Sequence, residues 1–272
     1  NGNPTDITSN LTSASIVTDS DGETHVLGID YSAEVTAFNN KYSERTGNGF
    51  SAPQTVYQGV FVDLLQMNTV DLAIDKNDVI HGVWSGDYDS VLPGLYPVED
   101  VYYLKKDDSG WFGSALNLTT GQSIWKSCGF QWEWEYAERF LNPKAEVDES
   151  GIVHIICIKE VNISEICFQE PTRYYSIQYI TIENGVVSPP DEIFTANDFE
   201  SVNALDLAID KGGNPHIVFE KTSGQNPFET EIQLINLSNN WQPITLSTSP
   251  NSKNPSIAVN KEGNQLHAVW ES

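Results

Sequence analysis

The sequence predicts an all-β fold: one five-bladed β-propeller spanning residues 1–272, with four-stranded antiparallel blades and a closing blade shared by strands from the two chain ends. Three observations predict it. One hairpin is written five times, as SIVTDSDGETHVLGID at 15–30, DLAIDKNDVIHGVWSG at 71–86, KAEVDESGIVHIICIK at 144–159, DLAIDKGGNPHIVFEK at 206–221 and SIAVNKEGNQLHAVWES at 256–272. All five histidines (His25, His81, His154, His216 and His267) fall at one place in it. They follow one another at 56, 73, 62 and 51 residues, the length of a four-stranded blade with unequal loops.

Each copy supplies strands A and B. An alternating apolar run leads to Asp or Asn, and Gly22, Gly151, Gly213 or Gly263 follows three residues later, with Asp78 in that place once. Gly, Asp and Asn accept the positive φ that a tight turn needs. The His then opens the second apolar run. Strand C is read at 35–42, 100–106, 173–182 and 231–237, and a turn dipeptide leads into strand D near 48–57, 109–119, 184–194 and 239–247. Residues 1–10 read as a leading D strand. A solenoid would repeat more evenly, and a sandwich would not repeat one hairpin five times. Strand C of the closing blade is the one element with no sequence to supply it.

The formal charge of −24 disfavours phosphate backbones and anionic lipid, so no nucleic-acid partner is expected. No run approaches the roughly 18 apolar residues that span a bilayer, so no membrane insertion is expected either. The chain begins at Asn1 without a visible signal peptide and reads as processed or partial. Sequons at Asn10, Asn117, Asn162 and Asn236 agree with an extracellular, secreted or cell-surface setting. Of three cysteines, Cys157 stands where other copies have Trp84, Phe219 and Trp270, and is expected in the core. That leaves Cys128 and Cys167, both in insertions, as the expected disulfide.

At PSIAVNKEGNQLHAVW (255–270) the hairpin resembles the repeat of the sialidase-like, BNR-type β-propeller superfamily, P-x-I-A-V-D-x-x-G-x-x-H-V-V-W, with one extra residue before the His. The resemblance covers nearly the whole chain and concerns the scaffold, which hosts hydrolases, lyases, lectins and interaction platforms. Sialidase activity itself does not follow. That family holds its substrate carboxylate with three arginines, whereas here Arg45 falls near a C–D turn, away from Arg139 and Arg173. Its Arg-Ile-Pro opening and an intact Asp-box are absent.

The A–B and C–D turns are short, and the long segments, 85–99, 120–143 and 160–172, are all B–C or D–A connections. In an up-and-down blade these emerge on one face, and function concentrates in long loops on a rigid scaffold. Residues 120–142 gather Trp132, Trp134 and Tyr136 with Glu133, Glu135, Glu138 and Arg139, aromatic faces and carboxylates that suit pyranose rings. Packing of the loop or a plug for the central channel would use the same aromatics. Asp87 and Asp89 fit hydroxyl acceptors; two residues apart, they also have the spacing to share calcium, and no other cofactor is expected. The histidines, repeated blade by blade, fit a structural bond to the turn Asp rather than a shared metal.

The expected function is ligand binding, with a glycan first, on the insertion-bearing face through Trp132, Trp134, Tyr136, Asp87, Asp89, Arg139 and Arg173. Two alternatives stand beside it. One is a polysaccharide-active enzyme, a hydrolase before a lyase, using Asp87, Asp89 or the Glu133–Glu138 cluster. The other is a module that docks a surface protein.

Overall fold

The computed structural model describes residues 11–32, 37–46, 49–60, 69–87, 99–128, 131–165, 167, 171–224, 229–247 and 249–272; within these, the side chains of 31–32, 37–38, 46, 59–60, 87, 125 and 131–134 are not described. Blade 1 holds β1 (Leu11–Thr18), β2 (Thr24–Ser32), β3 (Ala37–Thr46), β4 (Gly49–Phe50) and β5 (Gln54–Val60). Blade 2 holds β6 (Val70–Ile74), β7 (Ile80–Asp87), β8 (Glu99–Asp107), β9 (Gly110–Trp111) and β10 (Leu116–Asn117). Blade 3 is the widest, with β11 (Ser123–Cys128), β12 (Gln131–Val147), β13 (Val153–Ile163), β14 (Thr172–Glu183), β15 (Val186–Val187) and β16 (Asp191–Thr195). Blade 4 holds β17 (Ser201–Ile209), β18 (Pro215–Ser223), β19 (Glu229–Asn236) and β20 (Ile244–Thr245). The fifth hairpin forms β21 (Lys253–Val259) and β22 (Leu266–Glu271).

The result is a four-bladed propeller, which corrects the expectation of five blades. β21 and β22 make a two-stranded sheet with no C or D strand, packed on β17 and β18 of blade 4. A hairpin alone buries too little to stand as a blade. Among the described residues β21 and β22 pair only with each other; residues 1–10, read as the leading strand of a closing blade, lie outside the description. β1 alternates half-buried and exposed residues, with Ile16 65% exposed, and Val269 on β22 is 66% exposed. That is the pattern of strands covered on one face.

Between blades the strands are covered on both faces, and their burial is nearly continuous. Blades 2 and 3 enclose Val83, Val101, Phe140, Ile155, Cys157 and Ile180. Blades 3 and 4 enclose Ile156, Ile158, Ile177, Leu207, Ile217 and Phe219. Where Cys157, Trp84 and Phe219 fill the core, blade 1 has Gly28, and a Cβ there would come within 2.7 Å of Leu11, whose side chain takes the space.

The repeated hairpin is closed by one device. In blades 2, 3 and 4, Oδ1 of Asp75, Asp148 or Asp210 accepts from the backbone N–H groups two and four residues on, at 2.8–3.0 Å. Oδ2 faces the His: Asp19 and His25 Nε2 are 3.1 Å apart, Asp210 and His216 3.2 Å, Asp148 and His154 3.4 Å. The other ring nitrogen meets a strand-C hydroxyl, Tyr42 at 2.7 Å, Tyr103 at 2.8 Å and Tyr179 at 2.6 Å. The turn residues take the required positive φ, from 60° at Asp78 to 86° at Gly151. These four histidines are buried, whereas His267, with Asn260 in place of Asp, is exposed. No helix of the described residues is long and apolar enough to cross a membrane.

Candidate functional site

In the antiparallel blades strand B ends beside the start of strand C, as at Asp87 opposite Glu99 in blade 2 and Ile163 opposite Thr172 in blade 3. There β8 begins with Glu99 and Asp100, and β12 and β13 run on past the blade core with Arg139 opposite Glu160. Arg139 bridges the blades: Nε and Nη2 donate to Glu99 Oε2 at 3.0 and 2.5 Å, and Nη1 donates to Glu160 Oε1 at 3.4 Å. Asn162 Nδ2 donates to that same Glu160 oxygen at 2.7 Å. Glu99 is 1% exposed. Burial pushes its carboxyl above the usual range; Arg139 pulls it back in part, and Glu160 pushes it up again. Its Oε1 has no hydrogen-bond partner among the described residues.

A second carboxylate anchors the neighbouring row. Glu138 Oε1 accepts from Tyr136 Oη at 2.6 Å and sits 2.7 Å from Lys159 Nζ. Desolvation first, then Glu138, raises the Tyr136 phenol to about 12. Asp100 accepts from Thr119 Oγ1, the Gly121 N–H and Asn117 Nδ2 at 2.8–3.0 Å, and so pins the connection that leads into β11. The arrangement is a half-buried polar cluster in which carboxylates hold the cations Arg139 and Lys159, and Tyr136, whose hydroxyl hydrogen goes to Glu138, presents an acceptor oxygen. Such a face can offer fixed hydrogen bonds to a hydroxylated ligand.

Within the stretch 120–142, β11 pairs antiparallel with the first half of β12, with a register shift at Ile124/Trp125, and so adds a strand to blade 3. Trp132 and Trp134 lie in its second strand, opposite Ser127 and Trp125; their side chains lie outside the described residues. Asp87 ends β7 opposite Glu99, its side chain likewise outside, and Asp89 lies wholly outside. Tyr136 and Arg139 are brought into the cluster. Arg173 is exposed on β14, opposite Asn162.

Sequence reasoning missed Lys159 and Glu160. A signal existed: a Lys–Glu pair closes the apolar run of β13, and Glu220–Lys221 does the same in β18, where Lys221 meets Glu200 and Glu231 at 3.0 Å. Cys128 and Cys167 are disulfide-bonded. Both belong to blade 3, so the bond ties the end of β11 to the β13–β14 connection rather than joining the insertions of blades 2 and 3. The Cys157 thiol is free, and burial, then Asp100, raises it to about 12. Two sequon side chains are buried: Asn162 in the cluster, and Asn236, which caps the short 3₁₀ turn Leu237–Asn239. Among the described residues no group of three or more His, Cys, Asp or Glu could hold a metal ion.

No family model matches the chain, and no curated protein does. Solved structures do. An α-L-arabinanase from Penicillium chrysogenum complexed with arabinobiose is 10% identical, with 96% of this chain and 75% of that one covered and a TM-score of 0.53. An α-L-arabinofuranosidase from Fusarium graminearum is 9% identical, with 96% and 74% covered and a TM-score of 0.55. A polysaccharide lyase, an ulvan lyase, is 12% identical, with 90% covered, a TM-score of 0.54, and only 57% of its own length spanned. At these identities the likeness is one of fold. The shared feature is a β-propeller fold, common to these glycoside hydrolases and this lyase, and it does not single out the sialidase type.

Proposed function

We propose that the insertion-bearing face of blades 2 and 3 binds a glycan. The observation that carries the proposal is the half-buried polar cluster of Arg139, Lys159 and Tyr136, fixed by Glu99, Glu138 and Glu160. Polar groups already held in one geometry lose little entropy when a sugar hydroxyl arrives. In this reading Trp132 and Trp134 of β12 are the stacking pair, and Arg173 and Tyr174, both exposed on β14, are further contacts. The fold likeness to an arabinanase, an arabinofuranosidase and an ulvan lyase supports a glycan over other ligands. The Cys128–Cys167 bond fits an oxidising, extracellular setting.

A glycan array with the whole chain, followed by calorimetry on the strongest hit, tests the proposal. Arg173→Ala and Trp134→Ala should each weaken that hit about tenfold or more, the ~1–3 kcal/mol of one aromatic or charged contact, with the thermal midpoint unchanged. Binding that survives both substitutions, or an array with no hit, refutes it.

One observation favours an enzyme as the second reading: Glu99, its carboxyl held above the usual range, shares Arg139 with Glu160. A carboxyl raised by burial, with a second carboxyl near it, is the raw material of glycoside hydrolysis. Release of reducing sugar by the wild type and its loss in Glu99→Gln would establish this reading; binding without release would leave the binding module.

A further inference from the structure

The crossing from blade 3 to blade 4, residues 196–200, holds an aromatic ring out in water at a cost to its own backbone. Phe199 is 71% exposed and sits at a φ of +65°. Among the described residues seven besides glycine take a positive φ, and five of them are Asn or Asp, which tolerate it. The other two are aromatic. Trp241 is fixed by packing, its ring centred 5.6 Å from that of Tyr179, against the core between blades 3 and 4. Phe199, with most of its surface in water, gains little from packing to offset the strain. Strained backbone of this kind gathers at ligand sites, where the surrounding structure holds it for a purpose.

The turn that carries the ring is locked. The Glu200 N–H donates to the Asn197 carbonyl at 3.1 Å, which puts Phe199 at the turn position where Gly or Asn is usual. Glu200 Oε2 accepts from the Asn197 N–H and Nδ2 at 3.0 and 2.9 Å, and its Oε1 accepts from Lys221 Nζ at 3.0 Å. A ring presented from so fixed a base loses little freedom on contact. The crossing also borders the polar row on the ligand-binding side. The Ala196 N–H donates to the Tyr175 carbonyl at 2.9 Å, Tyr175 lies opposite Glu160 on β13, and Glu160 lies opposite Arg139 on β12. Exposed Arg173 and Tyr174 immediately precede Tyr175. Beside Phe199 itself stand exposed Asn197 and Asp198. One ring with a polar rim is too small for a protein-docking patch. It matches a sugar, whose C–H face lies on the ring while a hydroxyl donates to the Asp198 carboxylate.

We infer that Phe199 is a stacking residue of the glycan site, held at a strained turn so that its ring face meets a sugar. The inference rests on the glycan reading of this face. The test compares the wild type with Phe199→Gly, Phe199→Leu and Phe199→Trp in two measurements on the whole chain. The first is thermal unfolding without sugar. The second is calorimetry with the defined oligosaccharide that the wild type binds most strongly on an array. Phe199→Gly should weaken that oligosaccharide about fivefold or more, while its thermal midpoint holds or rises, because glycine takes this φ freely. Phe199→Leu, apolar but without a flat face, should weaken binding alike, and Phe199→Trp should keep it. Undiminished binding by Phe199→Gly or by Phe199→Leu would overturn the inference and leave the glycan reading standing. A lowered midpoint in Phe199→Gly would assign the ring to packing and overturn it too. A wild type that binds no oligosaccharide would remove the glycan reading and this inference together.

Discussion

Arg139 and Glu99 are joined across the seam of blades 2 and 3 by two guanidinium N–H groups that converge on one carboxylate oxygen, Oε2. Glu99 is almost wholly buried. Removing only the cation leaves an acid in a site that cannot hydrate it. Arg139→Gln should cost about 3–5 kcal/mol, measured by denaturant unfolding. The double variant Arg139→Gln/Glu99→Gln should recover a large part of that loss. Equal losses in the single and double variants would show that the arginine acts by packing alone.

The Cys128–Cys167 bond closes a loop of 39 residues within blade 3. Cys128→Ser/Cys167→Ser should lower stability by about 3–4 kcal/mol, the loop-entropy value for that length. The check is thermal unfolding of the variant beside the oxidised and the reduced wild type, with the last two separating and the variant following the reduced form.

Glu146, on β12, has its carboxyl raised to about 7. Desolvation is the main cause, then Asp71 and Asp206, against a smaller opposing pull from Lys144. A carboxyl raised on folding contributes stability that is complete below its ordinary value near 4.5 and lost as pH rises through 7. Glu146 is exposed at its surface, so solvent screens part of this penalty, and Glu146→Gln should raise the thermal midpoint only slightly at pH 8 and leave it nearly unchanged at pH 5. A pH-independent offset would show that the neighbouring charges do not act on this group.

The ribbon β21–β22 is tied to blade 4 through Asp206 and Glu220, which accept from Ile257 and Asn254 N–H, and through a close approach at its turn. The Lys211 N–H donates to the Gly263 carbonyl at 3.0 Å, and a Cβ on Gly263 would lie 2.5 Å from Lys211 Cβ, at a φ of +69° that side chains resist. Gly263→Ala should cost about 1–2 kcal/mol and loosen the ribbon before the blades. Hydrogen exchange should rise in residues 253–271 and stay unchanged in β13.

The hairpins were legible because each is specified locally. An Asp that accepts from the two N–H groups ahead of it, a residue at positive φ three places on and a His that folds back are all written within seven residues. The blade count was not. Five copies of Asp–turn–His count A–B hairpins, and a blade also needs strands C and D, which β21 and β22 lack. The site divided in the same way. Tyr136 and Arg139 stood out in an atypical stretch. Glu160 joined them only through the register that sets it opposite Arg139, and Glu99 only through contact between blades. Register and blade packing are long-range properties that no local pattern spells out.

Cys157 sits with no exposed surface at the centre of the seam between blades 2 and 3, its thiol held protonated at neutral pH. An alkylating reagent reaches it only when those blades part. The rate at which this one sulfur is labelled in the native chain is therefore a stopwatch for the opening of the disc, built in without any engineered probe.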